Sequence, residues 1–299
     1  MGVIECREVS KKYLRKKALN QLSFTIEENK ITGLIGRNGA GKTTLLKLLS
    51  GFIKPTSGKI KIFSEKPFDN LTVSVNSILI DDQMAFPTAL NLGDILVAAS
   101  KFYPNWDSKL AEGLLNYFSF KTYQYHNRLS KGQKSTFNMI VGLSSHCPLT
   151  MFDEPTTRMD EAVRKDFYRA LLKDYIAYPR TILISSHHLE EIEHILEDVL
   201  LIKNGECILH QSITDLKEMM IAIQGKKEEV SSLLLNHDVI SEQMIGTDYM
   251  QKVIKRHEIS EDSILSARRS GLEINAVSPS QACLYLTQER KGGIDDVFN

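Results

Sequence analysis

The 299-residue chain has no excess of charge of either sign, because 37 lysines and arginines are balanced by 37 aspartates and glutamates. A protein without net charge creates no long-range field that would recruit nucleic acid or anionic lipid. We therefore expect no nucleic-acid partner.

Long hydrophobic runs are also missing from the sequence. Apolar runs such as residues 199–202 end within several residues, whereas a membrane-spanning helix needs roughly 20. The N-terminus has no apolar segment after a basic start, so it does not resemble a secretory signal peptide. These absences predict a soluble, cytoplasmic protein.

Cysteine is rare and scattered, at Cys6, Cys147, Cys207 and Cys283. The spacings are not those of a metal site, and thiols in the cytoplasm stay reduced. We expect mostly buried thiols, with neither a disulfide nor a zinc site.

Hydrophobic residues, by contrast, make up 42% of the sequence. This content is ample for a packed core in one large and one small domain, or in two domains.

The segment GRNGAGKT at residues 36–43 matches the glycine-rich phosphate loop. Its bare backbone lets successive N–H groups point at phosphate oxygens, while Lys42 adds a positive charge and Thr43 a hydroxyl for Mg²⁺. An apolar run at 31–35 predicts a strand before the loop, and leucines at helical spacing predict a helix at 43–50 after it. The expected nucleotide-binding residues here are Gly36, Arg37, Asn38, Gly39, Ala40, Gly41, Lys42, Thr43 and Thr44.

A second segment, residues 149–154, is an apolar run that ends in two carboxylates. A buried strand here would deliver Asp153 to the metal side of the phosphate loop and Glu154 to a water beyond the terminal phosphate. A positioned base of this kind contributes about 10²–10⁴-fold to a rate. The alternative is that Glu154 only caps the turn at Pro155. Together the two segments predict binding and hydrolysis of a nucleoside triphosphate.

The surrounding pattern alternates strands and helices, as in a mostly parallel sheet. The sequence KNGE at 203–206 predicts a hairpin turn between two apolar runs. Further strands are predicted at 3–10, 22–27, 59–63, 77–80 and 181–185, a helical insert at 91–125 and a helix at 161–175.

Beyond His210 the pattern changes to β-α-β-β-α-β, which is the order of a ferredoxin-like domain. A capping box at 212–215 precedes it. The strands are predicted near 220–223, 239–245, 249–255 and 272–277, and the helices near 228–236, 261–269 and from about 280. We expect a small C-terminal α+β domain at 211–299.

The segment LSKGQ at residues 129–133 distinguishes among the many classes of protein that use a phosphate loop. With the two segments above, it resembles the ATP-binding cassette (ABC) family, in which an LSGGQ-type signature precedes the Walker B strand. The resemblance covers roughly residues 1–210. It implies a P-loop NTPase fold of the α/β class, with N-terminal antiparallel strands, a mostly parallel sheet and a helical insert at about 84–135. It also implies ATP and Mg²⁺ as ligands.

The resemblance assigns further roles by position. Gln83 occupies the family's Q-loop position, His187 its switch-histidine position and Tyr13 its adenine-stacking position. The implied metal ligands are Thr43, Gln83 and Asp153, and the implied catalytic residues are Glu154, His187 and Gln83.

Each of these positions also has a simpler interpretation. Stacking a base on Tyr13 is worth about 1–3 kcal/mol, but Tyr13 is also explained as a surface aromatic within the basic, solvated segment 11–17. Gln83 either orients a water or is an ordinary loop glutamine. His187 can donate a hydrogen bond to phosphate whether neutral or protonated, and His188 is the competing candidate.

The signature segment begins a predicted helix, where the hydroxyl of Ser130 and the free N–H groups near Gly132 and Gln133 bind an anion. In the family, that anion is the γ-phosphate of an ATP held by the other subunit, which implies a homodimer or a heterodimer of cassettes. Two places depart from the family pattern. Lys131 stands where glycine is commonest, and TRMD at 157–160 replaces the usual D-loop. These changes either weaken closure of a homodimer or match a different partner cassette.

The helical insert is interrupted at residues 101–107, which contain Trp106, the one tryptophan of the chain. One interpretation is that Asn105 or Asp107 caps a helix and the aromatic residues pack in the core. The other is that the insert, together with Gln83, receives a membrane partner. Similar aromatic, proline and Trp-Asp spacing is seen in cassettes of bacterial, notably Gram-positive, export and antibiotic-response systems.

The resemblance implies the ATPase subunit of a membrane transporter, which powers transport through ATP-dependent dimerisation. Such a subunit works with integral membrane subunits and is peripheral on the inner face of the cell membrane. A soluble cassette protein that regulates the ribosome or DNA is the alternative from another class, and a small-molecule kinase is a third. The chain shows neither a second phosphate loop nor sustained heptads, which disfavours the regulator. The LSKGQ segment disfavours the kinase.

Overall fold

The chain folds as two units, of which the first ends at His210 and the second begins at Gln211. The computed structural model describes residues 2–288. Each unit has a hydrophobic core of its own.

The first unit alternates strands and helices along the chain. Its elements are β1 (Gly2–Tyr13), β2 (Lys16–Glu27), β3 (Ile31–Ile35), α1 (Lys42–Leu49), β4 (Ser57–Ile62), α2 (Leu71–Asn76), β5 (Ser77–Ile80), α3 (Leu92–Phe102), α4 (Ser108–Tyr117), α5 (Lys131–Ser144), β6 (Leu149–Asp153), α6 (Glu161–Ala177), β7 (Thr181–Ser186), β8 (Asp198–Lys203) and β9 (Glu206–Ser212).

The main sheet of this unit has six strands in the order β5-β6-β7-β3-β8-β9. The neighbouring pairs from β5 to β8 are parallel, and every residue of β3, β5, β6 and β7 is buried. Strands that are covered on both faces need nearly unbroken apolar runs. These runs are what made the strands predictable from the sequence. The turn from β8 to β9 has positive φ at Asn204 and Gly205, as the predicted hairpin requires. The mostly parallel sheet is confirmed.

Because these strands are parallel, their carboxyl ends meet at one edge of the sheet, where functional residues collect in α/β folds. Ile80 lies beside Phe152, and Asp153 lies beside Ser185. The phosphate loop leaves β3 at the same edge. The sheet therefore gathers the residues that follow β3, β5, β6 and β7.

A smaller antiparallel sheet in the order β2-β1-β4 confirms the N-terminal antiparallel strands. Strands β1 and β2 extend further than predicted, because Tyr13 still pairs with Lys16 across their hairpin. The side chains around this hairpin are exposed and mostly basic, so no apolar alternation marks the strand ends.

The helical insert consists of α3 and α4, which are separated at the interruption predicted for residues 101–107. Asn91 forms a capping box with Asp94 at the start of α3. Asp107 caps α4 as predicted, but Phe102 is 47% exposed, so the expected packing of the aromatic residues in the core is wrong for this ring. The short helix α2 was not predicted. It spans six residues behind the cap Asn70, which is too short for a hydrophobic period to be visible.

The second unit confirms the ferredoxin-like order. Its sheet has the strand order β11-β12-β10-β13, and all of its strand pairs are antiparallel. Ile223 and Ile254 are fully buried in its core. The elements are α7 (Ile213–Glu218), β10 (Met220–Lys226), α8 (Lys227–Leu233), β11 (Ser241–Ile245), β12 (Tyr249–Lys255), α9 (Glu261–Arg269), β13 (Glu273–Ala276) and α10 (Pro279–Thr287).

Within residues 2–288, every helix is too short or too polar to traverse a lipid bilayer.

Candidate nucleotide-binding site

A cavity of about 590 Å³ lies in the first unit, where the carboxyl ends of the parallel strands meet the phosphate loop. Segments that are more than a hundred residues apart in sequence line this one volume. The predicted site residues that line it are Tyr13, Asn38, Gly39, Gly41, Lys42, Thr43, Thr44, Asp153 and Glu154.

The phosphate loop owes its shape to left-handed backbone at two glycines. Gly39 has φ of 82° and Gly41 has φ of 111°, values that residues with a Cβ rarely adopt. Gly41 is the N-cap of α1, and a Cβ there would lie 2.7 Å from the carbonyl oxygen of Ala18. Helix α1 therefore begins at the cavity, and the N–H groups of a helix's first turn form an anion site.

The remaining loop residues hold the loop together. The Ala40 N–H donates to the Arg37 carbonyl at 3.0 Å, and the Ala40 carbonyl accepts from the Gly205 N–H at 2.9 Å. The Gly36 carbonyl accepts from Lys42 Nζ at 2.7 Å. These three predicted residues, Gly36, Arg37 and Ala40, thus support the loop from outside the lining of the cavity.

Lys42 is a buried cation, with only 5% of its side chain exposed. Besides the Gly36 carbonyl, its Nζ lies 3.1 Å from Glu154 Oε1. A buried charge needs such partners. Both partners are oxygen atoms, so phosphate oxygens can take their places without leaving the ammonium unpaired.

The carboxylate of Asp153 is buried at the end of β6. Ser185 Oγ on the neighbouring strand donates to Asp153 Oδ1 at 2.6 Å and accepts from the Glu154 N–H at 2.9 Å. One hydroxyl therefore orients both acidic residues. Ser185 carried no predicted role, because this contact arises only when β6 and β7 pair.

Glu154 has a left-handed backbone, with φ of 46°. This conformation is uncommon for a residue with a side chain, and it follows directly after the last strand residue of β6. The side chain is about a quarter exposed, at 27%. Its two oxygens reach different partners, Lys42 and His187.

His187 lies beside Glu154, with Nδ1 at 3.2 Å from Glu154 Oε2. This is a close contact without the alignment of a hydrogen bond. The neighbouring His188 is exposed, and its ring stacks at a tilt on that of His187 at 4.0 Å between centroids. Of the two histidines, His187 is therefore the one in contact with the site.

Gln83 lies in a separate groove, where its Oε1 accepts from Lys47 Nζ at 3.2 Å. The two residues before it, Asp81 and Asp82, line the nucleotide cavity instead. Burial raises the pKa of the Asp81 carboxyl, and the charge of Asp153 adds to this, while the Gln83 N–H opposes it. The Q-loop thus presents carboxylates, rather than its glutamine, to the cavity.

Tyr13 stands at the mouth of the cavity and is 46% exposed. Lys11 Nζ lies 5.2 Å from the centre of its ring. Lys16 and Ala18 from the other strand of the same hairpin also line the cavity. An exposed aromatic face next to this opening can stack on a nucleobase.

The signature residues form the start of α5, outside the cavity lining. Ser130 Oγ accepts from the Gln133 N–H at 3.2 Å, and Gln133 Oε1 accepts from the Ser130 N–H at 3.0 Å. This capping box confirms the predicted helix start. A Cβ on Gly132 would lie 2.8 Å from the Arg158 carbonyl oxygen, so this glycine lets the segment before α6 pack against α5.

Several residues of the cavity carried no predicted role. They are Lys16, Ala18, Asp81, Asp82, Ser135 and Asn138, whereas Arg158, predicted to affect the pairing of subunits, lines the cavity of its own chain. For the two aspartates the sequence does contain a signal, because two adjacent carboxylates follow the apolar run of β5 just as they follow that of β6.

The ABC transporter family model matches residues 19–157 of the chain. The ABC transporter ATP-binding protein YtrB of Bacillus subtilis is 29% identical over 222 residues, which cover 74% of this chain and 76% of YtrB. The bacitracin transport ATP-binding protein BcrA of Bacillus licheniformis is 30% identical over 209 residues, which cover 69% of this chain and 68% of BcrA.

A solved structure shares the fold. It is the dimeric post-hydrolysis state of the ATP-binding cassette MJ0796 bound to ADP and Pi, with a TM-score of 0.62 at 21% identity, over 70% of this chain and 98% of that one. The phosphate loop and the carboxylate strand of the site both fall within the matched family region. The chain therefore belongs to the ATP-binding subunits of the ABC transporter family, and it is a transport-coupled ATPase.

Proposed function

We propose that this protein powers a membrane transporter through Mg²⁺-dependent ATP hydrolysis at the cavity and through ATP-dependent dimerisation of its cassettes. The observation that carries the proposal is the contact of Lys42 with Glu154 at 3.1 Å. It joins the phosphate loop to the end of the carboxylate strand, so that one triphosphate can engage both.

The residues at the cavity fit a magnesium ion. The Thr43 hydroxyl and the Asp153 carboxylate line the same volume, and both are oxygen ligands of the kind that Mg²⁺ prefers beside phosphates. When bound, Mg²⁺ would neutralise negative charge on the β- and γ-phosphates. Gln83, the third proposed ligand, accepts a hydrogen bond from Lys47 instead and would have to leave this partner to bind the ion.

Glu154 acts as the general base in this proposal. When phosphate oxygens take over Lys42, Glu154 Oε1 loses its ion-pair partner and is free to accept a proton from an attacking water. Thr157 Oγ1 donates to the other carboxylate oxygen at 3.5 Å. His187 Nδ1 lies 3.2 Å from the same oxygen, and His187 can donate to the γ-phosphate. Ser185 fixes the backbone of Glu154 through the 2.9 Å hydrogen bond.

The second half of each site comes from a partner cassette in this proposal. Ser130, Gly132 and Gln133 lie outside the cavity of their own chain and begin a helix, so their N–H groups and hydroxyl are suited to the γ-phosphate of an ATP held by another subunit. The dimeric state of the cassette MJ0796 supports this arrangement. The partner is a second copy or a different cassette.

Integral membrane subunits are the further partners we propose, with the protein peripheral on the inner face of the cell membrane. The names of YtrB and BcrA support this, since both are ATP-binding proteins of transport systems. The transport of bacitracin by a relative also supports the proposed export or antibiotic-response branch.

The proposal is tested by Glu154→Gln. We expect kcat for ATP to fall by about 10²–10⁴-fold, while ATP still binds and the variant accumulates as a dimer in size-exclusion chromatography. Glu161→Gln is the matched control, because Glu161 is an exposed residue paired with Lys165 on α6. Unchanged turnover in Glu154→Gln would remove this residue from the role of base.

A further inference from the structure

The side chain of Arg158 crosses from the segment before α6 to the Q-loop. Its Nη2 lies 2.7 Å from Asp82 Oδ2, with side chains 40% and 50% exposed. Both residues line the nucleotide cavity, together with Lys42 and Thr43. A guanidinium therefore stands at the cavity, held by a carboxylate that is not among the predicted metal or catalytic groups.

This ion pair is easily exchanged. A pair with both members near half exposed contributes only about 0–1 kcal/mol, because water screens it. The planar guanidinium matches phosphate oxygens as well as it matches a carboxylate, and a terminal phosphate carries more charge than one aspartate. A triphosphate in the cavity thus competes with Asp82 for Arg158 on favourable terms.

The backbone of Arg158 is fixed while its side chain is accessible. The Arg158 carbonyl packs against Gly132, where a Cβ would lie only 2.8 Å away. On either side, the Met159 N–H donates to the Thr156 carbonyl at 3.0 Å, and Asp160 caps α6. The guanidinium can therefore change partner by side-chain rotation, without rearrangement of the segment.

We propose that Arg158 determines triphosphate specificity: its guanidinium leaves Asp82 and binds the terminal phosphate of ATP held in the same chain. The inference rests on the proposed function of the cavity. ADP lacks that phosphate and leaves the pair with Asp82 intact.

The test measures binding of the non-hydrolysable β,γ-imido analogue of ATP and of ADP, each with Mg²⁺, to the full chain by calorimetry. Arg158→Ala should weaken binding of the ATP analogue about tenfold, as expected for loss of one charged hydrogen-bonding partner, and change ADP binding less than about twofold. Arg158→Lys should recover part of the lost affinity, since lysine keeps the positive charge but cannot bind two oxygens at once as a planar guanidinium does.

Asp82→Asn is the second variant, and its effect has the opposite sign. It removes the competitor for Arg158, so the ATP analogue should bind a few-fold more tightly, on the order of what an exposed pair is worth. In the double variant with Arg158→Ala this gain should disappear. Arg164→Ala is the matched control, because Arg164 makes a partly exposed ion pair with Glu191 at 2.6 Å and neither residue lines the cavity.

The proposal is overturned if Arg158→Ala weakens both nucleotides equally, or if Asp82→Asn weakens the ATP analogue as Arg158→Ala does, since both results indicate a structural bridge. It is also overturned if the loss arises only under conditions in which the cassettes dimerise. If the unmodified chain binds neither nucleotide, the proposed function of the cavity fails, and the inference fails with it.

Discussion

Strands β3, β5, β6 and β7 of the first unit run parallel and end together at the nucleotide cavity, whereas the strand pairs described in the second unit, up to residue 288, are antiparallel. Antiparallel strands end alternately at opposite edges of a sheet, so they do not gather several strand ends at one place. The direction of the strands therefore determines whether a sheet can assemble a reactive site at one edge.

The two units differ in where their polar contacts converge, although both have capped helices, for example at Ser130 and Ser260. In the first unit, ion pairs and hydroxyl contacts converge on Glu154 and Asp153 beside the cavity. The family match to residues 19–157 lies wholly within the first unit. This contrast predicts that activity and stability can be changed separately in the two units.

The largest effect is expected from Lys42→Ala. Loss of a preorganised cation at the phosphates should lower kcat/KM for ATP by about 10²–10³-fold or more, measured in a steady-state ATPase assay. Lys217→Ala, an exposed lysine of the second unit, is the control and should leave the assay unchanged. Similar losses in both variants would contradict the separation of the units.

A smaller effect is expected from Ile223→Ala in the core of the second unit. Ile223 is fully buried, and an isoleucine-to-alanine change in such a position costs about 2–5 kcal/mol of unfolding free energy. We expect a lower-temperature unfolding transition with ATPase activity retained below it. Leu200→Ala, equally buried in the core of the first unit, should instead lose activity as it unfolds. Loss of activity in Ile223→Ala before any unfolding would show that the units depend on each other.

Tyr13→Ala should weaken ATP binding about tenfold, because base stacking on an aromatic ring is worth about 1–3 kcal/mol. Tyr13→Phe should bind ATP as the unmodified chain does, since it keeps the ring. Equilibrium titration with ATP measures both. If the phenylalanine variant loses as much affinity as the alanine variant, the hydroxyl and not the ring face makes the contact.

The smallest effect concerns His126 in the first unit. Burial lowers the pKa of His126, and its hydrogen bond to Asn138 only partly opposes this. The folded chain therefore binds this proton less readily than the unfolded chain, so stability is full above the unfolded pKa of about 6.5 and decreases as the pH falls below it.

We expect His126→Phe, which keeps a ring beside Phe86 and Phe137, to reduce the slope of the unfolding temperature between pH 7 and pH 5. His257→Phe in the second unit is the control, because His257 is exposed. An unchanged slope in His126→Phe would assign the acid sensitivity to other groups.

The sequence was informative where function depends on local conformation. The phosphate loop, the cap at Asp107 and the hairpin at Asn204 were predictable because neighbouring residues determine their backbone. The buried strands were predictable because both faces are apolar.

Contacts between distant segments could not be predicted in this way. Ser185 meets Asp153 only through the pairing of β7 with β6, and Arg158 meets Asp82 across separate loops. The position of Gln83 beside Lys47 depends on how the Q-loop bends. No spacing within the sequence encodes these distances.

The left-handed backbone at Glu154 has a consequence for substitutions at this position. Such a conformation costs about 1 kcal/mol or more for a residue with a Cβ, and glycine would relieve that cost. Glycine would also remove the carboxylate that balances the buried Lys42 ammonium, and a buried charge left without its partner costs about 3–5 kcal/mol. The strained backbone is therefore tolerated because the charge balance of the phosphate loop depends on it.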